Sequence, residues 1–213
     1  TGASRGIGKE TARLFANSGW DLLITARDES SLKSLSAELV NTGSNICYKA
    51  NDLSLPDNID SGIKQLIEEG STPSVLINNA GVAWTGDLMK MPLEKWQWML
   101  QMNLTSVFQV CKATVPLMRK EGGLIINVSS HAARNSFSQW GAYCISKAAL
   151  ESFTKCLAEE ERNFGIRACT LTLGSVNSDL WESDNVQSDF DREAIRSLDQ
   201  VASELLHLAS QPN

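Results

Sequence analysis

Tyr143 and Lys147 stand four residues apart in a segment where Ala142, Ile145, Ala149, Phe153 and Leu157 recur at intervals of three or four. That period predicts a helix, and side chains four apart on a helix lie one turn above each other on the same face. An ammonium held one turn from a phenol favours the phenolate, so the pair is expected to lower a tyrosine pKa that is about 10 in a free side chain. A tyrosine tuned in this way is a general acid near neutral pH. Two hydroxyls precede it, Ser129 and Ser130, at the end of the apolar run 124–128. Glycines before that run and serines after it mark a buried strand of a parallel sheet.

Other elements must bring a ligand to these groups. The chain opens TGASRGIGKETARLFANSGW, in which Gly2, Gly6 and Gly8 lead into an amphipathic helix with Ile7, Ala12, Leu14 and Phe15 on its apolar face. Glycines there permit a tight turn and a close backbone approach, so the helix amino terminus can receive a pyrophosphate. The strand that should precede this turn lies outside the sequence. A strand over 21–25 ends in Ala26 and Arg27. An acidic residue at this place grips adenosine ribose hydroxyls, whereas an arginine accommodates a 2′-phosphate. With the acid missing, Arg27 and Arg5 together favour NADP.

Helices are predicted over 29–40 and 59–69, with strands over 45–50 and 74–77. Asp52 follows the first of these strands, placed either to hydrogen-bond an adenine amino group or to cap the next turn. After the second come Asn78, Asn79, Ala80 and Gly81: two amides able to pin neighbouring strands, and a glycine that admits a ligand close to the backbone. A long helical segment over 93–119 carries Asn103, which is either a local kink or a functional polar group. Strand 166–173 runs into Gly174, Ser175, Val176, Asn177 and Ser178. Residues 179–197 are polar, acidic and aromatic in patches, an expected mobile cover, and helix 200–210 ends without the strand expected to follow. Strand and helix alternate throughout, which predicts an α/β fold, a doubly wound parallel sheet in a single domain over 1–213.

Composition limits the partners. The 213 residues are 42% hydrophobic and 21% charged with a net charge of -6, which argues against a nucleic-acid or anionic-membrane partner, since either wants a basic face. Cys47, Cys111, Cys144, Cys156 and Cys169 are odd in number and widely spaced, without metal-ligand spacing, and read as reduced thiols of a cytoplasmic protein. No apolar run approaches the roughly 18 residues that span a bilayer.

Taken in order and spacing, the glycine turn, Asp52, Asn78 to Gly81, Asn103, Ser130, Tyr143 and Lys147 resemble the short-chain dehydrogenase/reductase family, over essentially the whole chain. The resemblance implies a Rossmann-like fold and a carbonyl reductase or alcohol dehydrogenase using NADP(H), similar to 3-oxoacyl carrier-protein reductases. Tyr143 would exchange a proton with the substrate oxygen, and Lys147 would hold the nicotinamide ribose and depress the tyrosine pKa. Ser130 would orient the carbonyl, and Asn103 would keep a water that links Lys147 to solvent. Ser130 is preferred to Ser129 by its separation from Tyr143 and because Ser129 alternates to the other strand face. Cofactor contacts would come from Gly2, Ser4, Arg5, Gly6, Ile7, Gly8, Arg27, Asp52, Leu53, Asn79, Ala80, Gly81, Tyr143, Lys147, Gly174, Val176 and Ser178, with no metal. The family commonly has proline and threonine where Leu173 and Ser178 stand here. A non-catalytic NADP(H)-sensing protein on the same fold is the alternative.

Trp84, His131, Trp140, Leu180 and Trp181 fall where walls of a substrate cavity would lie. The 93–119 segment and the Tyr143 helix carry more apolar residues than one face on a sheet requires, among them Trp96, Trp98, Val107, Phe108, Phe153 and Leu157. By resemblance, these helices would pair across a two-fold axis in a homodimer or homotetramer.

Overall fold

The computed structural model describes residues 1–186 and 195–211. In chain order its main elements are α1 (Gly6–Asn17), β1 (Leu22–Ala26), α2 (Glu29–Leu39), β2 (Ile46–Ala50), α3 (Pro56–Glu69), β3 (Val75–Asn78), α4 (Leu93–Leu100), α5 (Ser106–Met118), β4 (Gly123–Ser130), α6 (Gly141–Glu161), β5 (Ile166–Leu173) and α7 (Leu198–Ala209). Strand and helix alternate as expected, and every strand pair is parallel.

Alternation along β4 shows why the fold has three layers. Leu124, Ile126 and Val128 pack with Phe15 of α1 and with Val201 and Leu205 of α7. Ile125 points the other way, among Val107, Cys111 and Val115 of α5 and Leu150 of α6. A strand covered on both faces has no polar side, so it reads in sequence as an unbroken apolar run. Farther out, α1 and α2 bury Ile24 and Ala26 of β1 against Ala16, Leu32 and Leu35.

The strands form two ladders, β1 with β2 and β3-β4-β5 with β4 in the middle. Between them lies a cavity of about 570 Å³, lined by Leu22 and Ile24 on one side and by Val75 and Ile77 on the other. Among the described residues β1 and β3 face each other across this cavity without a ladder between them. At the carboxyl end residues 1–3 tie the ladders together. The Thr1 amino group donates to the Ile77 carbonyl at 2.8 Å, and the Ala3 amide donates to that of Thr25 at 3.2 Å.

Two buried amides pin β3 to β4. Asn78 and Asn127 are register partners, and Asn78 Nδ2 donates to Asn127 Oδ1 at 2.9 Å. Asn127 Nδ2 in turn donates to Thr154 Oγ1 of α6 at 2.8 Å. Side-chain bonds of this kind fix the height of β4, and with it the height of the serines at its end.

The helix expected over 93–119 is not continuous. A π-helical turn, Gln101–Thr105, separates α4 from α5 and carries Asn103, which is fully buried. The Asn103 amide is spent outside the helix: Oδ1 accepts from the Val82 amide at 2.8 Å, while Nδ2 donates to the Val82 carbonyl at 2.9 Å and to Ser146 Oγ at 3.0 Å. Inserting a residue into the turn is what aims that side chain at the strand end.

Candidate active site

The carboxyl ends of the strands open into a cleft of about 830 Å³. At one end the glycine turn folds back on itself. Gly2 and Gly6 have φ of 69° and 53°, in the left-handed region that favours glycine. A Cβ on Gly8 would stand 2.2 Å from the Gly2 carbonyl oxygen and 2.6 Å from Asn79 Nδ2. Asn79 sits under the turn, donating from Nδ2 to the Thr1 carbonyl at 3.0 Å, while Thr1 Oγ1 accepts from the amides of Asn79 and Ala80 at 3.1 and 3.0 Å. Arg5 at the N-cap of α1 places no side-chain bond on the helix, so the first-turn amides keep their hydrogens for a ligand. The guanidiniums of Arg5 and Arg27 both line the cleft with no hydrogen-bond or ion-pair partner among the described residues. Ser31 lines it beside them.

Asp28 and Asp52 also reach this end of the cleft, but their carboxylates are engaged. Asp28 caps α2, accepting from the Ser30 amide at 3.0 Å and the Ser30 hydroxyl at 2.8 Å, and bonds with the Ser31 and Ser30 hydroxyls hold its pKa below the ordinary range. Asp52 accepts from the Ser54 amide at 2.9 Å and the Ser54 hydroxyl at 2.7 Å. The turn-capping role expected as one option for Asp52 is present, and the side chain still lines the cleft.

At the centre, β4 and α6 bring Ser130, Tyr143 and Lys147 to one wall. The alternation of β4 separates the two serines. Ser129 Oγ turns to Glu151 Oε1 of α6 at 3.2 Å, in a cluster that Arg134 Nε and Thr172 Oγ1 complete. Ser130 keeps its hydroxyl on the Tyr143 side, where it bonds the phenol, and accepts from the Ala132 amide at 3.2 Å. Lys147 Nζ is buried, donates to the Val128 carbonyl at 2.9 Å and lies 5.8 Å from the centre of the Tyr143 ring. Gly81 covers it: a Cβ there would be 3.5 Å from Lys147 Nζ and 3.3 Å from Asn103 Oδ1.

The tyrosine pKa departs from expectation. Burial pushes the Tyr143 phenol up to about 12, against the hydrogen bond from Ser130, and burial pulls the Lys147 ammonium down to about 8. Desolvation is the largest cause of both shifts, because the cleft wall removes water from each group while Nζ points to a backbone carbonyl. Tyr143 is therefore a neutral phenol at neutral pH, with its proton available to donate.

Beyond β5 the chain turns over the glycine turn. A Cβ on Gly6 would meet Ser178 at 3.8 Å, and Gly174, Ser175, Val176 and Ser178 all line the cleft. Val176 is buried and bridges Arg196, so the loop keeps its path with Leu173 ending the strand. Its carbonyl accepts from Trp181 Nε1 at 2.7 Å, in the short turn Asp179–Glu182. The cover expected over 179–197 is described as far as Val186 and from 195 onward, and its middle lies outside the described residues.

Of the residues expected from sequence, all but three line the cleft. Gly8 spaces the turn from Asn79 and does not face the ligand space. Asn103 stands behind Val82, which it grips from below. Trp84 folds instead over Gly86, where an added Cβ would be 2.3 Å from the indole. Conversely, Ser31, Val82, Phe137, Ser138 and Asp179 line the cleft without having been singled out. Phe137 and Ser138 belong to a loop with no periodicity, so only their proximity in the chain to Trp140 offered a signal.

A buried lysine with a lowered pKa costs stability while it stays charged. Between about pH 8 and its unfolded value near 10.4, the unfolded chain binds the extra proton, so stability rises with pH there, and below about pH 8 the penalty is complete. Lys147→Met is expected to unfold at higher denaturant concentration than the wild type at pH 7, by about 1–3 kcal/mol. Denaturant titrations at pH 7 and pH 10 should show that gap closing at the higher pH, and a variant less stable than wild type at pH 7 would contradict it.

Known proteins of similar sequence and fold identify the family. The family model described as short chain dehydrogenase matches residues 1–189. The chain is 35% identical over 190 residues to a 3-oxoacyl-(acyl-carrier-protein) reductase of Synechocystis sp., covering 88% of this chain and 76% of that protein. A protein of the same description from Chlamydia muridarum is 31% identical over 194 residues, with 89% and 78% covered. Among solved structures, a metagenomic short-chain oxidoreductase in complex with NADP superimposes with a TM-score of 0.85 at 32% identity, over 99% of this chain and 88% of that one. With the glycine turn, the Tyr143–Lys147 pair and a family match across most of its length, the chain belongs to the short-chain dehydrogenase family.

Proposed function

We propose that this is a cytoplasmic NADP(H)-dependent oxidoreductase that interconverts a carbonyl and a secondary alcohol, with Tyr143 as the general acid and base. The observation that carries the reading is the convergence of a neutral Tyr143 phenol and the Ser130 hydroxyl on one wall, with the Lys147 ammonium buried behind the ring. The residues at the other end of the cleft fit a dinucleotide phosphate: uncapped first-turn amides on α1, a turn that a Cβ on Gly8 would destroy, and two guanidiniums with no partner among the described residues. The adenosine 2′-phosphate would lie against Arg5, Arg27 and Ser31, and the nicotinamide end against Gly81, Lys147, Val176 and Ser178. When bound there, the nicotinamide supplies or accepts the hydride.

In the reducing direction the substrate oxygen accepts hydrogen bonds from Ser130 Oγ and Tyr143 Oη. As negative charge develops on that oxygen, Tyr143 transfers its proton to it. The phenolate left behind is stabilised by Lys147, whose ammonium is favoured once an anion is its neighbour. Val82, held at both backbone atoms by Asn103, lines the same cleft. Five free cysteines and an NADP-bound relative of similar fold support the compartment and the cofactor.

Tyr143→Phe keeps the ring and removes the proton donor. Its turnover number should fall by roughly 100-fold or more with NADPH affinity nearly unchanged, measured by NADPH oxidation and by titration. Retained turnover would sink the assignment.

Wild type should bind NADPH more tightly than NADH by roughly 10- to 150-fold, the range of a charge-assisted arginine–phosphate bond. The double change Ala26→Asp with Arg27→Ala should reverse the preference, read as the ratio of the two dissociation constants. Equal affinities in the wild type would make both arginines ordinary surface charges.

Assembly follows from the outer faces of α5 and α6. Phe108, 48% exposed, meets Phe153 edge to face with ring centres 6.4 Å apart, and Ile145 on α6 is 43% exposed. Apolar side chains left in water on two adjacent helices support a homodimer or homotetramer. Light scattering at micromolar concentration should give a multiple of the chain mass, and a monomer would count against it.

A further inference from the structure

The substrate half of the cleft has its own chemistry. Trp140 meets Tyr143 with ring centres 5.6 Å apart at 72°, and meets Trp181 with centres 5.5 Å apart at 63°. Trp181 is anchored by its bond to the Val176 carbonyl, and Phe137 stands at the opening, 44% exposed and 5.8 Å from His131 between ring centres. The loop that carries Phe137 and Trp140 holds Gln139 at φ 67°, a conformation costly for a residue with a side chain, and the Gly86 amide bonds its carbonyl at 2.9 Å. A strained loop tied at its bend presents its aromatic residues in a fixed place.

We propose that the wall formed by Phe137, Trp140 and Trp181 makes this enzyme selective for aryl ketones over aliphatic ketones. The proposal rests on the carbonyl-reduction reading above. The aryl ring lies edge or face against the indoles, the geometry in which aromatic pairs attract beyond their buried area. Its carbonyl is thereby presented to Tyr143 and Ser130. The chemistry is the one already described: the carbonyl carbon gains a hydride from NADPH, the oxygen gains the Tyr143 proton, and the products are the secondary alcohol and NADP⁺.

The test compares kcat/KM for ethyl 3-oxo-3-phenylpropanoate and ethyl 3-oxohexanoate. The aryl ketone should exceed the alkyl ketone by roughly 10-fold, about what one or two aromatic contacts supply. Trp181→Leu should bring the aryl-to-alkyl ratio close to one, whereas Trp181→Phe, which keeps a ring but loses the Val176 bond, should retain most of it. Equal or greater efficiency with the alkyl ketone in the wild type overturns the proposal and leaves carbonyl reduction standing. Failure to reduce either ketone, with NADPH bound, overturns the carbonyl-reduction reading and this proposal with it.

Discussion

A buried ammonium sets the terms for the whole site. Lys147 gives up most of its water to reach the carbonyl of Val128, and one hydrogen bond at 2.9 Å replaces only part of that hydration. The group tolerates this because everything around it is already fixed. The Val128 carbonyl belongs to a strand buried on both faces, Gly81 leaves room for Nζ by having no side chain, and Asn103 holds the neighbouring backbone at Val82. The same desolvation keeps the nearby phenol protonated, so one physical cost prepares both the cation and the acid.

Stability and function pull apart at this point. A hydrophobic side chain at 147 would satisfy the core better, and an unbroken α-helix through 101–105 would close more regular hydrogen bonds than the π turn does. Both departures point polar groups at the strand ends. The cost is met by the clusters on either face of β4, where helices α1 and α7 and helices α5 and α6 bury their apolar sides.

Much of this was legible in the residue order. Spacing placed Tyr143 and Lys147 on one helix face, and strand alternation separated Ser130 from Ser129, whose hydroxyl is committed to Glu151. Glycine and asparagine at strand ends marked the turns, because few other residues satisfy such backbones. Desolvation was not legible: the four-residue spacing announces a charge near a phenol but not how much water either keeps, and here burial reversed the expected direction for Tyr143. Nor was the π turn, since it depends on a bond from Asn103 to a residue 21 positions away. Trp84 and Phe137 exchanged roles for a similar reason, as loop aromatics carry no period that says which way they face.

The amide pair between β3 and β4 bears on how errors in folding are sorted. Sliding β4 by one residue would carry Ser129 toward Tyr143 and Ser130 toward Glu151, giving a compact chain whose two serines had traded places. Hydrophobic residues alone resist such a slip weakly in a strand that is apolar on both sides. Asn78 and Asn127 resist it strongly, because their bond and the one to Thr154 exist in a single register. Losing them would strand buried amides at a cost of about 4 kcal/mol, leaving roughly one chain in a thousand misaligned. Two side chains remote from the substrate therefore act as an alignment mark, and they decide which hydroxyl becomes the partner of the tyrosine.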